Sequence, residues 1–148
     1  MHSLRTLASV ALIAVVGLLG GCRGEPKVVD YARDYPALRQ GETVNIQVFR
    51  RPTEIELTNT TALAFGPCTL WLNARYSRPL EGLGVGQTLV LPLADFRDIN
   101  SEAFRGGGFF ATDTPDRLVL AQIETKDDTE ASRLLGLIVV SHVDDEAK

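Results

Sequence analysis

From Val44 onward the chain alternates hydrophobic and polar residues with a period of two, the spacing of a strand with one buried face. Val44, Ile46 and Val48 alternate with Asn45 and Gln47; after a break at Arg50-Arg51-Pro52, Ile55 and Leu57 alternate with Glu54, Glu56 and Thr58. Residues 68–76 give the strongest strand signal, with Leu70, Leu72, Ala74 and Tyr76 on one face and Trp71, Asn73 and Arg75 on the other. Ser77-Arg78-Pro79 predicts the turn that follows it, and Gly82, Gly84 and Gly86 a loose connection. Leu89, Leu91 and Leu93 predict a strand that lies at an edge or breaks at Pro92, because proline removes a ladder hydrogen bond. Residues 117–125 predict another strand, with Val119, Ala121 and Ile123 on one face. Residues 134–140 are apolar on both faces, as a central strand requires.

The segments between these runs read as connections. Residues 95–108 form a long polar link in which Phe96, Ile99 and Phe104 are expected to plug the end of the core. Gly106-Gly107-Gly108 gives backbone freedom before Phe109-Phe110, residues 112–116 have turn composition, and residues 126–133 are a charged loop. Six or seven short strands with no long helical stripe predict an all-β domain, a single antiparallel β-sandwich, with a small β-barrel as the alternative. In plan this resembles an immunoglobulin or fibronectin type III sandwich with Trp71 on an inner strand; the resemblance is architectural and covers roughly residues 43–142.

The amino-terminal region has a different pattern. Residues 7–19 carry no charge and follow a thin basic start at His2 and Arg5, the layout of a secretory leader. A membrane-spanning helix needs about 20 apolar residues, and this run stops short of that at Gly20-Gly21-Cys22-Arg23. Leu19-Gly20-Gly21-Cys22 resembles the lipobox of bacterial lipoproteins, an aliphatic residue and two small ones before cysteine. The resemblance implies a diacylglycerol on the Cys22 thiol, cleavage between Gly21 and Cys22, and acylation of the new amino terminus. It also implies a mature protein held on a membrane of the cell envelope. Arg23 in place of an aspartate after the cysteine favours the outer membrane, facing the periplasm, in an organism with two membranes. The expected organisation is a leader over residues 1–21, a lipidated terminus and tether over 22–41, a β domain over 42–143 and an acidic tail over 144–148.

Removal of residues 1–21 leaves about 127 residues, enough for one domain that folds without metal or disulfide. The whole chain carries a net charge of −4, and the leader takes one further positive charge with it. That balance argues against nucleic acid, whose affinity rests on clustered lysine and arginine. Once Cys22 is lipidated, Cys68 has no partner in the chain, and burial as a small hydrophobe is its expected fate. A single histidine, His142, follows the leader, so neither a histidine-rich nor a cysteine-rich metal site is expected, and no cofactor. Gly106-Gly107-Gly108 lacks the Lys-Ser/Thr of a phosphate loop. Asp95, Asp98, Asp113 and Asp116 fall in two loops without the alternating ligand pattern of a calcium loop, and read as solvated.

The remaining chemistry is aromatic. Phe109 and Phe110, with Trp71 and Tyr76, are the candidate binding surface, Phe109-Phe110 foremost, since adjacent strand residues point to opposite faces and one must seek cover elsewhere. The expected function is binding or scaffolding without catalysis. The partners are the membrane, through Cys22, and another envelope protein, with a glycan also open. The alternatives are a carbohydrate-binding module, or a small hydrolase using Cys68 with His142 or two loop carboxylates.

Overall fold

The computed structural model describes residues 32–140; the leader, the lipobox with Cys22, His142 and the acidic tail lie outside the described residues. Seven strands follow in chain order: β1 (Gln40–Arg50), β2 (Glu54–Asn59), β3 (Cys68–Leu72), β4 (Tyr76–Leu80), β5 (Thr88–Pro92), β6 (Ala121–Lys126) and β7 (Ser132–Val140). Among the described residues the only helical element is one 3-10 turn, Leu93–Asp95. The expected all-β class holds. The strands make one sheet, in the order β4-β3-β6-β7-β1-β2-β5, curled into a half-barrel.

All neighbouring pairs are antiparallel except β1–β7, which is parallel, so the sheet is mixed where a purely antiparallel one was expected. The register of β1 against β7 shifts twice, between Gln40 and Thr43 and between Thr43 and Gln47; β1 follows β7 along one edge, while Ile46 to Arg50 pair with β2 along the other. Each strand turns alternate side chains into one shared core: Ile46 and Val48, Ile55 and Leu57, Leu70 and Leu72, Ala121 and Ile123, Leu135 and Leu137. Residues 134–140 lie in a central strand as expected, and β5 is an edge that ends at Pro92.

Four expectations are corrected. Residues 68–76 do not form one strand: Asn73 and Ala74 both adopt φ 53°, and Arg75 N–H closes on Leu72 O at 3.1 Å, which turns the chain into a hairpin. Ser77-Arg78-Pro79, read as a turn, is therefore inside β4, where an edge position tolerates Pro79. Residues 117–120 are not strand, so Leu118 enters the core and Val119 is exposed, off the face it was expected to share with buried Ala121 and Ile123. Of the three residues expected to plug the core's end, Phe96 and Phe104 are buried, whereas Ile99 sits exposed in a turn.

The last part of the expected tether is packed onto the sheet. Arg33 donates to Glu124 of β6 at 2.6 and 2.8 Å, and its guanidinium lies 5.4 Å from the centre of the Trp71 ring. Tyr35 meets the same indole edge-on at 5.3 Å and donates to Gln122 at 2.8 Å; Gln122 in turn donates to Gln40 at 2.6 Å. The outer face of β3 and β6 thus carries a second, smaller packing layer.

Candidate functional site

The connection between the 3-10 turn and β6 crosses the end of the half-barrel where β1 turns into β2 and β3 into β4. Within it, residues 105–116 form a loop closed at its neck. Arg105 donates to Asp116 Oδ1 through Nε (3.1 Å) and a terminal nitrogen (2.7 Å), and their backbones are joined by Asp116 N–H on Arg105 O at 2.9 Å. Arg105 N–H reaches Asp116 Oδ2 at 2.9 Å, and the Tyr76 hydroxyl donates to the same oxygen at 3.2 Å. Tyr76 stacks edge-on against buried Phe104 at 5.1 Å, so the neck is fixed to the core. Burial opposes the charge on Asp116. The bonds from the Arg105 side chain and backbone, the Arg105 charge and the Tyr76 hydroxyl outweigh it and hold the carboxyl below its usual range.

The three glycines work through closeness as much as freedom. Gly107 N–H donates to Pro52 O in the β1–β2 turn, and a Cβ on Gly106 would meet that same oxygen at 3.1 Å. Gly108 takes φ 115°, a conformation side-chain-bearing residues rarely adopt, and Ala111 N–H closes a turn on its carbonyl at 3.1 Å. That turn holds Phe109 and Phe110 at its tip, 95% and 91% exposed. Their rings stand perpendicular to each other at 5.1 Å. They reach solvent from a turn tip, not by pointing to opposite faces of a strand.

The other two candidate aromatics are elsewhere. Trp71 has no exposed surface; it lies beneath Arg33 and Tyr35, and its indole N–H donates to Glu124 at 3.0 Å. Tyr76 is buried in the core end and raised in pKa, by burial first and then by the Asp116 charge and hydrogen bond. The four aromatics are therefore not one surface, and Phe109-Phe110 stands alone.

Cys68 is buried as expected, and burial pushes its thiol up to about 11, the opposite of nucleophile activation. Of the loop aspartates, Asp95 pairs with Arg78 at 3.1 Å, Asp98 with Arg75 at 2.7 Å and Asp116 with Arg105; Asp113 is exposed. Asp98 is almost wholly buried and accepts the N–H groups of Asn100 and Glu102, both at 2.9 Å, so it is a structural carboxylate and not a solvated one. Two open depressions, of about 230 and 430 Å³, flank Arg33. Cys68 lines the larger.

Sequence reasoning missed the neck itself. Its signal is a pair of opposite charges eleven residues apart around a glycine- and phenylalanine-rich stretch. In comparison with known proteins, no family model, no curated protein and no solved structure matches this chain.

Proposed function

We propose that this chain is a lipid-anchored cell-envelope protein whose β domain binds a hydrophobic component of the envelope through the Phe109-Phe110 loop, without catalysis. The observation that carries this reading is a rigidly clamped loop that keeps two phenylalanines in water, an arrangement whose free energy is recovered only when something covers them. Anchoring rests on Leu19-Gly20-Gly21-Cys22, and Arg23 favours the outer membrane where there are two. A glycan platform loses support, because stacking on sugars wants a flat aromatic row, whereas Trp71 and Tyr76 are covered and the two phenylalanine rings are perpendicular. Catalysis by Cys68 loses support from its unactivated thiol, and catalysis by Asp98 or Asp116 from their ion pairs with arginine.

The test is a photoreactive phenylalanine analogue at position 110 in cells, with membrane fractionation of the parent and of Cys22→Ala. The expected result is a discrete envelope adduct at position 110, and release of Cys22→Ala from the membrane fraction. No adduct above the level given by an exposed control position, such as 128, would overturn the binding reading. Retention of Cys22→Ala on membranes would overturn the anchor.

A further inference from the structure

We propose that the Phe109-Phe110 tip is a membrane-insertion loop, seating both rings in the interfacial region of the same bilayer that holds Cys22. The inference rests on the anchored reading above and names the occupant of its site.

Reach makes the bilayer the nearest hydrophobic phase. Residues 22–31, ten in number, separate the expected lipid from the first described residue, Ala32. Fully extended they span at most about 36 Å. A domain of this length has a radius of gyration of about 13 Å, so a link of at most that span keeps every end of the half-barrel in the vicinity of the surface. The tip meets that surface at high effective concentration throughout the protein's life.

The chemistry of the tip suits a lipid phase. Residues 106–112, Gly-Gly-Gly-Phe-Phe-Ala-Thr, contain no charge, so entry strips no ion of water. Three glycines add no bulk beside the rings. Two backbone N–H groups are already satisfied, Gly107 on Pro52 O and Ala111 on Gly108 O, which lowers the cost of leaving water. The nearest charge along the chain is the exposed Asp113, which borders the uncharged stretch and stays on the water side of the tip, while Arg105 and Asp116 neutralise each other in the neck. A convex, uncharged, doubly aromatic tip on a rigid base enters a deformable medium without needing a matching pocket. Since the chain is acidic, the attraction is hydrophobic and not electrostatic, so anionic lipid and low salt will not strengthen it.

The experiment uses the Cys68→Ala chain from Cys22 onward, coupled through its one remaining thiol to a maleimide phospholipid in phosphatidylcholine vesicles. Phe110→Trp reports insertion through quenching by acyl-brominated phosphatidylcholine, with the parent chain, whose only tryptophan is the covered Trp71, as background. Insertion predicts quenching of the added emission, strongest with bromines near the headgroup end of the chains. It also predicts that the uncoupled chain loses vesicle binding about tenfold or more for each of Phe109→Ser and Phe110→Ser, with unchanged melting. An unquenched Phe110→Trp in a chain of native melting temperature would overturn the proposal. So would a single protein adduct from position 110 in cells together with absent quenching, which would assign the tip to a protein partner. Because the lipid is attached chemically, failure here leaves the anchor untouched. The anchor is read separately from the mass of the Cys22 peptide in cells, and an unacylated Cys22 would sink it and the proposal with it.

Discussion

Asn59 has no exposed surface, yet its amide nitrogen donates to three carbonyls, Leu63 O at 2.8 Å, Gly84 O at 3.0 Å and Leu83 O at 3.2 Å. Its carbonyl oxygen accepts Thr61 N–H at 3.0 Å and the Thr61 hydroxyl at 2.7 Å. One side chain therefore ties the end of β2 to two loops, adding to the bonds that Leu63 O, Leu83 O and Gly84 O already accept from the Thr61 hydroxyl, Phe65 N–H and Gln87 N–H. Asn59→Ala is expected to cost about 2–3 kcal/mol, since several buried hydrogen bonds are lost together and Thr61 N–H loses its acceptor. In a domain of this size that lowers the melting temperature by roughly 10 °C or more. A drop below 3 °C would mean that water replaces the amide. Cys68 gives a prediction of opposite sign to the usual carboxylate case. Its folded pKa of about 11 lies above the ordinary thiol value of 9.0, so the unfolded chain loses that proton first. Stability is unaffected below pH 9 and falls as pH rises from 9 towards 11. Cys68→Ala should remove this part of the alkaline loss, leaving that of Tyr76, and a parallel fall in both proteins would refute the assignment.

At the scale of elements, the β3–β4 hairpin and the docked segment show what the pattern of the chain could and could not carry. The inward faces of β1 and β2, the central place of β7, the edge position of β5 and the charged turn at Asp127 were legible, because burial on one face imposes alternation, burial on both removes it, and turns demand particular residues. The hairpin was not. Asn73 and Ala74 sit where alternation continues unbroken, and only asparagine's tolerance of positive φ marks the reversal. Asn73 also works across elements: its Oδ1 accepts Val119 N–H at 2.9 Å and its Nδ2 donates to Arg117 O at 2.6 Å, which takes residues 117–120 out of the ladder their alternation had implied. Trp71 was misread for a related reason, since nothing local reveals that Arg33 and Tyr35 return to cover it. The same blindness hid the neck of the Phe109-Phe110 loop; exposure of the pair was expected, but from the opposite faces of a strand, whereas the pair sits in a turn. Asn73→Gly keeps the turn conformation and loses the clamp. It should therefore destabilise by about 1–2 kcal/mol and raise hydrogen exchange at Val119 and Leu120 selectively. Uniform exchange across the sheet would show that the turn, not the clamp, was at fault. Arg33→Ala with Tyr35→Ala should shift the emission of the single tryptophan to longer wavelength without unfolding the sheet; an unchanged spectrum would mean that the segment does not cover Trp71 in solution.

At the scale of the molecule, the two ends of the half-barrel are held by different physics. The sheet supplies ladders and a common core, but the long connection from Leu93 to β6 crosses one end with few strand hydrogen bonds and is fastened by arginine–aspartate pairs. Arg75 grips Asp98 at 2.7 and 3.0 Å and Glu102 at 2.8 Å, Arg105 grips Asp116, and Arg78 lies 3.1 Å from Asp95. For Asp98, burial disfavours the charge, while the Arg75 bonds, the N–H groups of Glu102 and Asn100 and the Arg75 charge more than offset it, leaving the carboxyl below its ordinary value of 3.8. Asp116 is lowered by the same kind of balance. A carboxyl depressed on folding contributes stability that is complete above the unfolded pKa and disappears as pH falls through the folded one. The end that carries the Phe109-Phe110 loop should thus loosen below about pH 4, before the ladders of the sheet, which contain no titrating bond. Melting temperature followed from pH 7 to pH 2 should hold level and then drop below pH 4. Asp98→Asn, which keeps an acceptor for Asn100 and Glu102 but loses the charge facing Arg75, should lie below the parent at neutral pH and converge with it near pH 2. Hydrogen exchange at acid pH should rise first at Asn100, Glu102 and Arg105. Convergence failing to occur, or exchange rising first in β7, would show that the loop is held by packing around Phe96 and Phe104 and not by its ion pairs.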